Sequence, residues 1–321
     1  MQELSKLKGL SEWPAVRNQI ETAVRGVLGE IDTERVELQM KTLDEQSFPG
    51  YSRKRVNYFV DEWERVSAWL FVPDGREEVP GILCCHQMTP QGKDEPGGVK
   101  GDPQLAFARR YAELGYVTIA PDCVTSGERQ SHGLQPYDTK NFYKDHPKKS
   151  VLSKMLQDHT FALDALCDIK RVDPARLGVI GHSMGGTNAL LLAAFDQRVQ
   201  TCVASCGFTR FADDKNADRW ANENGFVQLP KLREAIQKKE YPFDWEHLLA
   251  LVAPCPTLVI TSLTDEVLSN TKSCEKAVKA AKTIYKHLGA SEALAQYVHS
   301  AGHGMTVEAL EQADDWFERW L

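Results

Sequence analysis

The sequence predicts an α/β protein built on a mostly parallel, twisted sheet with helices on both faces, and three observations carry that reading. After Pro73, short apolar runs alternate with longer segments of helical periodicity, the pattern of strand and helix taken in turn. One of these runs feeds Gly181-His182-Ser183-Met184-Gly185, a serine bracketed by glycines and followed by a small-residue helix. Two stretches, residues 124–150 and 207–252, are too long to be plain connections, and both leave the carboxyl ends of strands. That is the side of an open α/β sheet where ligands bind, so these insertions are expected to form the rim of a pocket.

In chain order, Trp13, Val16, Ile20, Val24 and Val27 follow helical spacing between Ser11, a candidate cap, and Leu28. Residues 1–54 are accordingly expected to be a helical extension. Arg55–Val60 and Val66–Val72 read as an antiparallel strand pair linked through Asp61-Glu62. Predicted strands then follow at Gly81–His86, Tyr116–Ala120, Leu177–Gly181, Thr201–Ser205, Thr257–Thr261 and Ala295–Val298. Helical patterns cover Gln104–Leu114, Val151–Lys170, Thr187–Ala194, Thr271–Leu288 and Thr306–Leu321, the last with Trp316, Phe317 and Trp320 as core residues. The whole chain, 1–321, reads as one domain.

Composition narrows the function classes. With 42% hydrophobic and 26% charged residues, the 321-residue chain has the make-up of a globular enzyme with a large core. The 38 basic against 45 acidic residues give a net charge of −7, which favours neither nucleic acid nor anionic lipid as a partner. Met1–Leu10 lacks the apolar run of a signal peptide, and no segment is apolar enough to span a membrane. None of the eight cysteines shows Cys-x-x-Cys spacing, so neither a metal site nor a redox motif is expected. Reduced, buried thiols in a cytoplasmic monomer or homodimer are the simpler account.

A serine hydroxyl becomes a nucleophile only when a base takes its proton, and the base needs a carboxylate to fix its tautomer. Placed after an apolar run, Ser183 calls for its partners in the chain order acid, then histidine. Asp265 follows Thr257–Thr261, and His303 follows Ala295–Val298, so each lies just past a strand end on the rim that holds Ser183. Glu266, Asp213 and Asp214 are rival acids, and His299 is a rival base expected to be packed or at the surface. His182 is expected to support the nucleophile. Two backbone N–H groups must hold the developing oxyanion. Met184 supplies one, and Gln87 or Met88, after Gly81–His86, supplies the other, with Gln87 the first choice. Glu128 and Arg129 are expected to pair with each other, and Lys93 and Glu95 to pin the oxyanion loop.

With these residues assembled, the chain resembles the α/β-hydrolase superfamily over nearly all of its length after Pro73. More narrowly it is similar to the dienelactone hydrolase-like and acetyl xylan esterase-like branch. The resemblance rests on His86 with Gly92-Lys93-Asp94-Glu95, on Asp122 with Gly127-Glu128-Arg129, and on Asp173-Pro174-Ala175-Arg176-Leu177 before the serine turn. It extends to Phe243-Asp244-Trp245-Glu246-His247-Leu248-Leu249 and Ala253-Pro254-Cys255-Pro256. The chain departs from that pattern at Gln87, where relatives commonly have glycine, and at Cys255, where an arginine often stands. The resemblance implies cofactor-free hydrolysis of a small-molecule carboxylic ester through an acyl-enzyme. The same superfamily also cleaves amides, lactones and carbon–carbon bonds, so a peptidase, amidase, lactonase or carbon–carbon hydrolase is the alternative.

Overall fold

The computed structural model describes residues 3–7, 9–32, 34–75, 77–222, 225–268 and 271–321. Its strands are β1 (Lys41–Phe48), β2 (Tyr51–Phe59), β3 (Arg65–Pro73), β4 (Val79–Cys85), β5 (Val117–Pro121), β6 (Val172–His182), β7 (Val199–Ser205), β8 (Thr257–Ser262) and β9 (Leu294–His299). They form one nine-stranded sheet in the order β1-β2-β3-β5-β4-β6-β7-β8-β9. The six strands from β5 to β9 run parallel, while β1, β2 and β3 add an antiparallel edge.

The α-helices are α1 (Trp13–Leu28), α2 (Phe107–Glu113), α3 (Lys140–Asp145), α4 (Val151–Cys167), α5 (Met184–Phe195), α6 (Arg233–Lys238), α7 (Trp245–Val252), α8 (Thr271–His287) and α9 (Val307–Trp320). Residues of α1, α4, α5, α7 and α8 join the core on one face of the sheet, and those of α2 and α9 the core on the other. Because both faces of β6 are covered, Leu177 to His182 is buried without alternation. Helix α5 is apolar nearly all round and buried from Met184 to Ala194, which fixes it as the central helix behind the serine turn.

The structure corrects the N-terminal reading. Helical structure in the extension ends at Leu28, and residues 41–48 form the edge strand β1, a hairpin partner of β2. Lys-Thr-Leu-Asp-Glu-Gln-Ser-Phe has no apolar alternation because seven of its eight residues are exposed. Polar, solvent-facing side chains are what keep an edge strand from pairing with a second molecule, and they erase its periodic signature. The aromatics of residues 207–252 also differ from a pocket wall. Phe208, Phe211, Trp220, Phe243 and Trp245 are buried in the main core. Phe208 stacks on Trp245 with ring centroids 5.0 Å apart, and Trp220 lies 5.4 Å from Trp245. The two insertions clasp each other: Thr139 Oγ1 donates to Gly225 O (2.8 Å) and Tyr143 Oη to Val227 O (2.7 Å).

Candidate active site

The serine turn is strained and tightly packed. Ser183 has φ 54° and ψ −122°, a backbone conformation that side-chain-bearing residues rarely hold, and its N–H donates to Ser205 O at 2.8 Å. The flanking glycines permit that turn. A Cβ on Gly181 would lie 2.1 Å from Gly185 O, and one on Gly185 would lie 2.2 Å from Cys85 O. No larger residue fits either position without moving β4 or α5.

Three loops bring the expected side chains together. His303 Nε2 lies 2.8 Å from Ser183 Oγ, and His303 Nδ1 lies 2.9 Å from Asp265 Oδ2. Asp265 is buried, yet its other oxygen accepts the N–H groups of Val267 and Leu268, each at 2.8 Å. Burial pushes its carboxyl up, but His303 and those two amides outweigh it and hold the group at about 2. An ionised Asp265 can only accept, so Nδ1 of His303 carries the ring proton and Nε2 is left to accept from Ser183 Oγ–H.

The backbone of His303 is fixed from both sides. Glu266 Oε2 accepts its N–H at 3.2 Å, and Thr264 Oγ1 accepts the N–H of Gly302 at 3.0 Å. From the other side His182 Nε2 meets His303 O at 2.9 Å, while His182 Nδ1 meets Ser205 Oγ at 3.0 Å. A carbonyl only accepts, so His182 holds its proton on Nε2. Burial, then the neighbouring His303, lowers its pKa to about 3 and keeps the ring neutral. Glu266 thus touches the main chain of His303, not its ring. Asp213 pairs with Arg210 and Lys276, Asp214 with Arg219, and His299 is buried with its Nδ1 accepting from Ala301 N.

The loop after β4 is held by a neutral histidine and a tyrosine. His86 is fully buried, and burial lowers its pKa. Its Nε2 accepts the N–H of Cys123 (3.0 Å), so Nδ1 donates to Gln87 O (2.7 Å). The Tyr137 hydroxyl accepts Thr89 N–H at 3.0 Å and lies within donating reach of Gln87 O (3.1 Å) and Thr89 O (2.8 Å). Glu95 accepts from Gln87 Nε2 at 3.2 Å.

Beside that loop lies a buried cluster of charges. Lys93 Nζ donates to Asp122 (2.8 Å) and Glu128 (2.6 Å). Arg129 binds Asp158 (2.7 Å) and Glu64, and Lys154 bridges the same two carboxylates at 2.6 and 2.8 Å. The expected Glu128–Arg129 pair is therefore incorrect. Consecutive residues of the tight turn Gly127–Arg129 point to different partners: Glu128 to Lys93, and Arg129 to two carboxylates that offset its burial. Lys93 accordingly acts on Asp122 and Glu128, while Glu95 is the one that touches the loop after β4. Sequence reading passed over Glu64, Lys154 and Asp158. Lys154 and Asp158 did leave a trace, a charged i,i+4 pair inside an otherwise apolar helix.

Comparison with known proteins bears on the fold first. The solved glucuronoyl esterase of Solibacter usitatus superposes with a TM-score of 0.76 at 16% identity, over 97% of this chain and 94% of that one. The acetyl xylan esterase of Paenibacillus sp. R4 gives 0.61 at 18% identity, over 98% and 96%. The chain has the α/β-hydrolase fold. The family described as glucuronyl esterase of fungi matches residues 138–289, a little under half of the chain. Among curated proteins, YtaP of Bacillus subtilis (strain 168), named as a hydrolase, is 27% identical over 271 residues, covering 80% of this chain and 84% of that protein. Among the described residues, no helix is long and apolar enough to cross a membrane.

Proposed function

We propose that the protein is a serine hydrolase cleaving small carboxylic esters through an acyl-enzyme, with Ser183, His303 and Asp265 as its catalytic groups. The observation that carries this reading is the unbroken relay from Ser183 Oγ through His303 to an ionised Asp265, at 2.8 and 2.9 Å. His303 Nε2 takes the hydroxyl proton as Ser183 Oγ attacks the acyl carbon, then returns it to the departing alkoxide. Asp265 stabilises the imidazolium formed between those steps. Water enters by the same base and releases the acid. The matches to esterases and to a named hydrolase support this chemistry, as does the fold that they share.

For the oxyanion, Met184 N–H at the first turn of α5 is one donor, and Gln87 or Met88 in the loop after β4 supplies the second. His86 Nδ1 and Tyr137 Oη draw the carbonyl of Gln87 to one side. In a trans peptide the next N–H points the opposite way. Met88 N–H therefore leaves the side occupied by those two groups.

The chain is one domain on this reading, with residues 124–150 and 207–252 as the rim of the site. All eight cysteines are free, which supports a reducing, cytoplasmic location. The net charge of −7 supports a small-molecule substrate over nucleic acid, and the protein acts as a monomer or homodimer. The test is a substrate panel of p-nitrophenyl acetate, sugar acetates, uronate methyl esters, aminoacyl amides, lactones and β-diketones. Turnover is expected on the esters and abolished by Ser183→Ala. Activity confined to amides or β-diketones would replace the ester reading with the alternative bond.

A further inference from the structure

Directly after β7, Cys206 adopts φ 45°, a left-handed backbone fixed by its N–H on Ile260 O at 2.8 Å. That turn leaves its buried thiol beside the Asp265 carboxylate. Cys206, Asp265 and His303 each offer a ligand atom within 4.8 Å of the other two. A tetrahedral zinc site with bonds of about 2.0–2.3 Å needs ligand separations of roughly 3.3–3.7 Å, so His303 Nδ1 and Asp265 Oδ2, now 2.9 Å apart, part slightly while the thiol stays within reach of both. One thiolate, one imidazole and one carboxylate suit zinc and cadmium better than magnesium or calcium, which take oxygen ligands. Of the three side chains His303 is the most open, at 12% exposure.

We infer that Cys206, Asp265 and His303 form an inhibitory site for a thiophilic divalent cation such as Zn2+ or Cd2+. Binding follows from the cluster itself, whereas the inhibition rests on the triad reading above. The cation takes His303 Nδ1, the nitrogen that now faces Asp265. The ring proton then resides on Nε2, having moved through solvent, and the Cys206 thiol proton leaves, so one proton is released per cation bound. An Nε2 that bears a proton cannot accept the one on Ser183 Oγ. The cation therefore disables the base without touching the nucleophile, and a thiol beside the acid makes the enzyme metal-sensitive.

The test is titration of the full-length protein with Cd2+, read by thiolate-to-cadmium absorption in the ultraviolet and, in parallel, by ester hydrolysis. The expected result is a band saturating at one cation per chain, with activity lost over the same range. Cys206→Ala and Cys206→Ser, checked for folding by circular dichroism, should lose the band. Their inhibition curves, each referred to that variant's own metal-free rate, should shift by about tenfold or more. Cys274→Ala, whose thiol donates to Phe208 O, should keep the band. A band that survives in both Cys206 variants, or inhibition of unchanged sensitivity in them, overturns the inference. The band is independent of turnover, so its presence in a protein that hydrolyses no ester would leave the metal site standing and remove the ester reading alone.

Discussion

Two groups of polar side chains stand at the carboxyl ends of neighbouring strands, and they are built in opposite ways. The relay of Ser183, His303 and Asp265 is drawn from three loops, contains one ion, and leaves its imidazole at the protein surface. The cluster of Arg129, Lys154, Asp158 and Glu64 crosses from the β2–β3 connection to α4, contains four ions, and encloses three of them almost completely. On the proposed function, the first spends its hydrogen bonds on a proton that must move. The second uses them to hold loops that must not, since Arg129 also donates to the carbonyl of Asp122, the residue whose carboxylate anchors Lys93. The contrast teaches that reactivity and rigidity are separable here: loss of a triad member should remove rate, and loss of a cluster member should remove stability.

The largest effect that would break this division is on rate. Ser183→Ala should lower ester turnover by about ten-thousandfold or more while leaving the thermal melting curve unchanged. Asp265→Asn should cost roughly ten-thousandfold too, because an amide N–H turned toward Nδ1 selects the wrong tautomer of His303. Steady-state assays beside circular-dichroism melts check both. On the other side, Arg129→Leu leaves Asp158 and Glu64 facing each other beside a single lysine. It should cost about 3–5 kcal/mol in urea unfolding, with the kcat of the folded fraction little altered. Equal losses of rate and stability in either group would erase the distinction.

Smaller effects sharpen the boundary between them. Tyr137 belongs to the insertion but holds the loop after β4, so, if that loop supplies an oxyanion donor as proposed, Tyr137→Phe should lower kcat by about tenfold with KM nearly constant. The smallest effect concerns acid. Burial pushes the Glu64 carboxyl up from 4.5, but Arg129 and Lys154 outweigh it and hold the group at about 2. A carboxyl depressed on folding adds stability that is complete above pH 4.5 and lost as pH falls through about 2. Glu64→Gln should therefore flatten stability against pH across that window. The change is modest because a third of the Glu64 side chain meets solvent.

How much of this was readable in the chain follows from the range of each interaction. The serine turn was legible because its glycines, strand and helix are contiguous, and the alternation of strand and helix after Pro73 is likewise local. Asp265 and His303 could be singled out because each follows an apolar strand in the order that the serine demands, and the fold sets His303 within hydrogen-bond reach of Ser183 and Asp265 within reach of His303. Strand β1 was not legible, since an edge strand that faces water carries no apolar period. Nor was the Glu64–Arg129 contact, which joins residues 65 positions apart. Nothing local distinguishes such a glutamate from a solvated one. The pairing of Glu128 with Arg129 failed for the converse reason: adjacency in sequence is not adjacency of side chains in a tight turn.

The central claim is that the base has made one hydroxyl nucleophilic, and labelling with a fluorophosphonate followed by peptide mapping measures that directly. The account predicts one adduct per chain, on Ser183, formed rapidly in the native protein and nearly abolished by His303→Ala. An unlabelled Ser183, or labelling that is indifferent to loss of His303, would contradict it.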